Sequence, residues 1–133
     1  MVIVRQEFRV SGLPEPVSHY TDAVRFGDLL FISGLVALDE RSNVVGRDDV
    51  VEQARQVFRN MRRVLDSVGS SVADVLKVTV YLTNIGDRGR INPIRQEFFG
   101  DIRPASTLVE VSQLVISELM IEVEAIVGLN NTK

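Results

Sequence analysis

The sequence predicts a single α+β domain in which two helices pack on one face of a mixed β-sheet. Three observations lead to this fold class. The chain has 133 residues, a length that suits one domain spanning 1–133 with one sizeable core. Its apolar residues alternate at period two in some segments and recur at three- and four-residue spacing in others. The resulting order, ββ-α-β-α-ββ, is typical of a layer of helices on a sheet.

The first strands are predicted on both sides of a glycine-centred turn. Residues 22–38 contain apolar and β-branched stretches that flank Gly27 and Asp28. This pattern predicts two strands joined by a short turn, and 3–9 is a candidate for an additional short strand. The polar stretch 39–46 predicts the loop that follows.

The first helix is indicated by an apolar stripe and by both of its ends. Between Val50 and Val68, apolar residues recur every three or four positions, which gives one apolar face over about five turns. Asp49 is the predicted N-cap, with Glu52 three residues on, and Gly69 is the predicted C-terminal stop. The polar residues off the stripe are predicted to form its solvated face: Arg55, Arg59, Asn60 and Arg63.

The second half returns to strands at 75–84, 105–113 and 119–128. The first of these alternates regularly, so its side chains should divide between the two faces of the sheet. One face is predicted to carry Leu76, Val78, Val80 and Leu82, and the other Lys77, Thr79, Tyr81 and Thr83.

A shorter helix is predicted over 87–100, with Gly100 at its end. Proline is tolerated in the first turn of a helix, so Pro93 predicts a start close by, with Asn92 as the candidate cap. The predicted apolar face consists of Ile91, Ile94 and Phe98.

The second sheet face predicts an oligomer. Two helices cover one face of a sheet, yet the strands are predicted to supply apolar residues to both faces. Those assigned to the uncovered face are Phe31, Ser33, Val109, Val111, Ile121 and Val123, beside Lys77, Thr79 and Tyr81. Exposed apolar area favours burial against a second copy of the chain. A half-solvated antiparallel sheet is the alternative.

Composition excludes several classes of site. The formal net charge of −3 and the pI near 5.2 disfavour a nucleic-acid partner. Cysteine is absent and His19 is the only histidine, so the usual zinc sites and thiol chemistry are excluded, and no metal or cofactor is expected. The sequence shows no apolar leader and no membrane-length run, which predicts a soluble, cytoplasmic protein without a membrane partner.

Carboxylates are the best candidates for chemistry. Glu122 and Glu124 alternate on the last strand and should share a face, with Glu110 on the preceding strand. For Glu122, an ion-paired surface role and a role as a water-orienting general base remain equally open. Ser33 and His19 lack the elbow motif of a serine hydrolase. Ser33 is instead predicted to orient a ligand or to satisfy backbone groups.

Four stretches in order complete a resemblance to a known family. The stretches "FISG", "INPIRQEFF", "RPASTLVEV" and "MIEVEAIV" resemble the Rid (YjgF-like) reactive-intermediate deaminases, from about Tyr20 to Val127. The resemblance implies a chorismate-mutase-like fold and a homotrimer with small-molecule ligands in the clefts between subunits. Active members hydrolyse enamines and imines, such as 2-aminoacrylate, to a keto acid and ammonia without metal or cofactor.

The resemblance also assigns site residues, with one departure. It implies that Tyr20, Ser33, Gly34 and Asn92 contact the ligand and that Glu122 orients the water. The family binds the substrate carboxylate with an arginine in a Pro-Ala-Arg-Ser motif. The matching positions here are Pro104, Ala105, Ser106 and Thr107, so a hydroxyl replaces the guanidinium. Leu108 stands where the family has a cysteine near the cleft.

The departure leaves two hypotheses for ligand binding. Arg95 or Arg103 could reach the cleft and bind a differently placed anion, or Ser106 and Thr107 could bind a neutral group. We therefore expect an imine or enamine hydrolase for a noncanonical substrate, with weak or no activity on 2-aminoacrylate. A non-catalytic, metabolite-binding or regulatory trimer is the alternative. The ribonuclease activity attached to some relatives is disfavoured by the acidic charge and the single histidine.

Overall fold

The computed structural model describes residues 3–129, which form one mixed sheet covered on one face by two α-helices. The α+β class and the order of elements, including the short first strand, are confirmed. Neither helix in this part of the chain is long and apolar enough to cross a membrane. The elements are β1 (Arg5–Phe8), β2 (Ala23–Phe26), β3 (Leu29–Val36), α1 (Val50–Ser67), β4 (Val75–Leu82), α2 (Arg88–Phe99), β5 (Ala105–Glu110) and β6 (Ile121–Gly128).

The sheet has the strand order β1-β2-β3-β6-β4-β5. Only β4 and β5 pair in parallel, and α2 connects them; the other neighbours pair antiparallel. The last strand therefore lies between β3 and β4 rather than beside β5. This arrangement makes β6 a central strand, whose alternate residues are fully buried under the helices.

Helix α1 forms where its end signals predict. The Asp49 carboxylate accepts hydrogen bonds from the backbone N–H groups of Val51 (3.1 Å) and Glu52 (3.2 Å). These bonds satisfy two of the N–H groups that a helix start leaves without a partner. At the other end Gly69 has a φ of +67°, a left-handed conformation that glycine adopts without strain. Both predicted ends are confirmed.

A row of buried amides runs along α1 and corrects one prediction. Asn60 is 2% exposed, so its assignment to the solvated face is wrong. Its Nδ2 donates to the carbonyl oxygens of Val36 (3.1 Å) and Leu38 (3.0 Å), where the chain leaves β3. Gln56 donates to the Asn60 Oδ1 atom at 3.0 Å. The burial of Asn60 follows from these contacts, which satisfy both ends of its amide in the core.

Strand β4 contains an irregularity that changes the face of one leucine. The register with β6 shifts between Val75 and Lys77, so Val75 is buried and Leu76 is 50% exposed. The predicted position of Leu76 on the buried face is therefore wrong. Its side chain packs over Gly128, where an added Cβ would lie 3.2 Å from the leucine Cδ1. The period-two pattern alone does not reveal such a shift.

Helix α2 lies within the predicted range 87–100, but its predicted cap is wrong. It starts at Arg88, directly after a short 3-10 turn over Ile85–Asp87, so Asn92 is a helical residue and not the cap. Pro93 consequently lies inside the helix, where it removes one main-chain hydrogen bond. The predicted end is confirmed, since Gly100 has a φ of +60°.

The sheet face opposite the helices exposes apolar side chains. Phe26 is 52% exposed and Phe31 is 44% exposed. Ile121 and Val123 do not belong to this face, contrary to the prediction, because the register places them opposite the core residues of β4 and both are fully buried. The exposed face that remains includes Phe26, Leu29, Phe31, Lys77, Thr79, Tyr81, Thr107 and Val109.

We expect the substitution Asn60→Leu to lower the free energy of unfolding by about 2–3 kcal/mol. Leucine has a similar size but removes the buried donor to the carbonyls of Val36 and Leu38 and the acceptor for the Gln56 amide. Urea denaturation followed by circular dichroism measures the change. Asn92→Leu is the matched control, because Asn92 is exposed on α2, and it should change stability by less than about 0.5 kcal/mol. Equal losses in the two variants would contradict the role of the buried amide.

Candidate functional site

A cavity of about 340 Å³ lies beside the end of β3. Tyr20, Ser33, Gly34 and Glu122 all line it. These residues come from the segment before β2, from β3 and from β6, so only the folded sheet brings them together. The volume lies in the range of small-molecule sites. The roles that the resemblance implies for these four residues are thus compatible with their positions.

A β-bulge forms the wall of the cavity. The pairing of β3 with β6 is interrupted between Ile32 and Leu35, which leaves Ser33 and Gly34 outside the regular ladder. The Ser33 hydroxyl donates to the carbonyl oxygen of Thr21 at 2.6 Å. Ser33 therefore satisfies a backbone group, one of its two predicted roles, and fastens the bulge to the segment before β2. Bulges commonly redirect side chains next to functional sites.

Gly34 is required by the close approach of its backbone to Glu122. A Cβ atom at this position would overlap the Oε2 atom of Glu122 and would lie 2.7 Å from its Cδ. Any larger residue would have to displace the carboxylate or the strand. The need for glycine is therefore a matter of space and not of an unusual backbone angle.

The Glu122 carboxylate is half-buried and accepts no hydrogen bond from any residue in the described part of the chain. Burial raises the pKa of Glu122 above its ordinary value, and the neighbouring charge of Glu124 raises it further. Glu124 is held by the Tyr81 hydroxyl, which donates to its Oε2 at 3.0 Å. This hydrogen bond to Glu124, together with burial, also raises the pKa of Tyr81. A carboxylate without a partner and with a raised pKa is suited to take and return a proton.

Glu110 does not join the other two glutamates. Because β4 lies between β5 and β6, Glu110 is not on a strand that neighbours β6. Its register partner is Leu82, whereas the partner of Glu122 is Tyr81, so the two carboxylates point to opposite faces of the sheet. Glu110 accepts a hydrogen bond from the backbone N–H of Ile85 at 2.9 Å. The expectation of three acids grouped on neighbouring strands is wrong.

A second cluster lies on α2 and β5, away from the cavity wall. The Nη2 atom of Arg95 donates to the Ser106 Oγ at 2.9 Å. Arg95 is half-buried, and burial lowers the pKa of its guanidinium, which nevertheless stays protonated at neutral pH. Asn92 lies three residues before Arg95 and is exposed. None of these three residues lines the cavity of Glu122.

The remaining predicted ligand residues lie apart from that contact. Thr107 points to the opposite face of the sheet from Ser106, where it accepts a hydrogen bond from the Lys77 Nζ at 2.6 Å. Arg103 precedes β5, is exposed, and makes no ion pair with the residues that the structure describes. Of the two arginines proposed to replace the family arginine, Arg95 is therefore the one in contact with Ser106.

Several cavity residues have no signal in the sequence. Asp22 is 6% exposed and lines the cavity, while its carboxylate accepts from the backbone N–H of Val10 at 2.7 Å. Asn60 and Val115 also line it. Because these residues come from distant parts of the chain, neither periodicity nor a motif could group them. Among residues 3–129 no group of three His, Cys, Asp or Glu side chains could hold a metal ion.

We expect Glu122→Gln to raise the melting temperature at pH 7. A carboxyl whose pKa is raised by folding binds protons more tightly in the folded state, so its contribution to stability is lost as the pH rises from its ordinary value of 4.5 through the raised value. Glutamine removes this loss. The difference in melting temperature should therefore shrink as the pH falls below 4.5. Melts at several pH values and one protein concentration measure it, and a difference independent of pH would contradict it.

Comparisons with known proteins identify the family. The family model described as Endoribonuclease L-PSP matches residues 11–129. A RutC family protein of Pyrococcus horikoshii is 39% identical over 113 residues, covering 85% of this chain and 89% of the relative. The 2-iminobutanoate/2-iminopropanoate deaminase of Dermatophagoides farinae is 32% identical over 114 residues, covering 86% and 88%. The structure of a conserved Rid family protein from Yersinia pestis superimposes with a TM-score of 0.88 at 30% identity, covering 95% of this chain and 100% of that one. The chain therefore belongs to the YjgF/Rid family, whose family model is Endoribonuclease L-PSP.

Proposed function

We propose that the protein hydrolyses a small imine or enamine to a carbonyl compound and ammonia. The observation that carries this proposal is the unpaired, half-buried carboxylate of Glu122 in a cavity of ligand size. The name of the Dermatophagoides farinae relative supports the same reaction type. The cavity needs only to bind the substrate, hold a water molecule and limit access of solvent.

Glu122 has the properties that the water-addition step requires. Water adds to the carbon of the protonated C=N group while the carboxylate accepts one of its protons, which gives a neutral carbinolamine. The carboxyl returns this proton to the nitrogen, the C–N bond breaks and ammonia leaves, while the hydroxyl proton passes to the carboxylate as the carbonyl group forms. Burial keeps the carboxylate poorly solvated and raises its pKa, which makes it a stronger base than an ordinary carboxylate.

We further propose that a homotrimer completes the site. The cavity of Glu122 is lined neither by Arg95 nor by Ser106, so the two groups of residues lie apart within one subunit. The sheet face opposite the helices exposes Phe26, Phe31 and Val109, which association of subunits would bury. In this assembly the α2–β5 cluster of one subunit contributes to the cavity of the next. The occupant is a small-molecule ligand in each of the intersubunit clefts.

Arg95 is the proposed anchor for a substrate carboxylate. Its guanidinium has five N–H donors, and one bond to Ser106 leaves others for a bidentate contact. Arg95 extends from α2, whereas an arginine at position 106 would extend from β5, so the two guanidinium groups would approach a ligand from different directions. The carboxylate of the preferred substrate should therefore be displaced relative to that of 2-aminoacrylate, which accounts for the expected weak activity on this compound.

Ser106 also favours a second candidate function. A family member without the arginine of its ligand site could bind a metabolite without turning it over. In that case Glu122 would serve binding alone, and its replacement would change affinity without a rate to lose.

We expect Glu122→Gln to reduce kcat about 100-fold or more while ligand binding persists. An amino acid oxidase can supply 2-imino acids of increasing side-chain length, and ammonia release above the uncatalysed rate reports turnover. Glu110→Gln is the matched control, because Glu110 lies on the opposite face and should leave kcat unchanged. Catalysis that survives in Glu122→Gln would exclude the proposed base, and no catalysis by the unaltered protein on any imino acid would favour the binding function.

We expect Ser106→Arg to increase kcat/KM for 2-aminoacrylate about tenfold or more, since one bidentate contact is worth that factor. Arg95→Gln should raise KM for the preferred substrate, whereas Arg103→Gln should not, because Arg103 is exposed and does not contact Ser106. Pyruvate release from enzymatically generated 2-aminoacrylate measures the first effect. Robust pyruvate release by the unaltered protein would refute the claim that Ser106 disables the usual anchor.

A further inference from the structure

A groove of about 490 Å³ lies between α1 and α2 on the outer side of the helical layer. It shares no lining residue with the cavity of Glu122. Four arginines of α1 line it, against a single acidic residue, Glu97. The whole chain has a formal net charge of −3, so this groove is a local reversal of the overall charge. The four arginines are Arg55, Arg59, Arg62 and Arg63.

The arginines are placed where they repel one another. Arg55, Arg59 and Arg63 follow each other at four-residue intervals on one face of α1, an arrangement of like charges that destabilises a helix. Arg55 pairs with Glu52 at 2.9 Å. Within residues 3–129, Arg59, Arg62 and Arg63 form no ion pair. Three cations without an ion pair, beside the single carboxylate of Glu97, give the rim of the groove a net positive charge that favours a negatively charged ligand.

Two of these side chains are held in defined positions. The Arg62 guanidinium lies over the ring of Phe98, 4.8 Å from its centroid, a cation–π arrangement. Arg63 packs on Gly12, where an added Cβ would overlap its Nη1 atom. Gly12 has a φ of +91°, which glycine adopts without strain, and its lack of a Cβ leaves room for the arginine. Their guanidinium groups are thus partly ordered before any ligand arrives.

Aromatic rings form the floor between the cations. The rings of Phe58 and Phe98 stack with centroids 4.8 Å apart and an interplanar angle of 28°. Phe99 meets Phe98 edge to face at 5.0 Å. Phe98 is only partly buried, so part of its ring remains available in the groove. The groove therefore combines an apolar, aromatic floor with a cationic rim.

We propose that this groove binds a small organic anion in which a phosphate group is attached to an aromatic ring. Guanidinium groups match the geometry of phosphate oxygens with paired N–H donors, and this preference is stronger than that of a point charge. The aromatic ring of the ligand would lie against the exposed edge of the Phe98 ring, beside the Arg62 guanidinium that covers its face, and would displace water from the floor. A ligand of this size fits in the groove of about 490 Å³, whereas a nucleic acid would require a basic track beyond it, which the formal net charge of −3 disfavours.

Isothermal titration calorimetry with phenyl phosphate tests the proposal. The unaltered protein should bind phenyl phosphate saturably and at least tenfold more tightly than inorganic phosphate, because only the former uses the aromatic floor. Affinity should decrease with added salt, since the contacts are ionic. Equal affinity for the two anions would overturn the proposed ligand class. Binding of an oligoribonucleotide that tightens with its length would also overturn it in favour of an RNA surface.

Variants assign the binding to the groove. Arg59→Gln and Arg62→Gln should each weaken phenyl phosphate binding about tenfold, the factor expected for one charge-assisted contact. Phe98→Leu should remove the preference for phenyl phosphate over inorganic phosphate. Arg47→Gln is the matched control, since Arg47 is an exposed arginine outside the groove that pairs with Glu118. Circular dichroism confirms that each variant is folded. Retained affinity in both arginine variants, or an equal loss in Arg47→Gln, would overturn the site.

Discussion

The approach of the Gly34 backbone to the Glu122 carboxylate is the constraint on which the candidate site depends. The carboxylate occupies the space that a Cβ at position 34 would need, and no other group in the described chain neutralises it or donates a hydrogen bond to it. Leaving a half-buried carboxylate without a partner costs stability. Such an arrangement is expected where the group acts on a ligand rather than on the fold. The bulge at Ser33, the Thr21 contact and the buried amide of Asn60 all hold this part of β3 in place.

Strand order explains why a single subunit holds only parts of the proposed site. Strand β6 lies between β3 and β4, which brings Glu122 beside the bulge and away from β5. Ser106 lies on the edge strand β5, where it contacts Arg95 of α2. The exposed Phe26, Phe31 and Val109 on the open sheet face supply the apolar area for an assembly that would unite the two parts. The proposed trimer and the proposed chemistry therefore depend on the same topology.

Helix α1 serves three different environments with three rows of side chains. Its apolar stripe forms the core with the sheet, and its buried amides satisfy backbone groups at the end of β3 and in the neighbouring loops. Its arginines line the outer groove. The helix thus connects the cavity, through Asn60, with the groove, through Arg59 and Arg63. A period of 3.6 residues allows these rows to coexist in one short segment.

The sequence by itself determined the features that depend on neighbouring residues: the fold class, the ends of α1 at Asp49 and Gly69, and the end of α2 at Gly100. Only the tertiary structure decided the burial of Asn60, the exposure of Leu76 and the separation of Glu110 from Glu122. The physical reason is that bulges, strand order and buried side-chain contacts with the main chain depend on which distant segments lie next to each other. The resemblance grouped Tyr20, Ser33, Gly34 and Glu122, whose roles stay predictions, and the fold supplied the cavity and the Arg95–Ser106 contact.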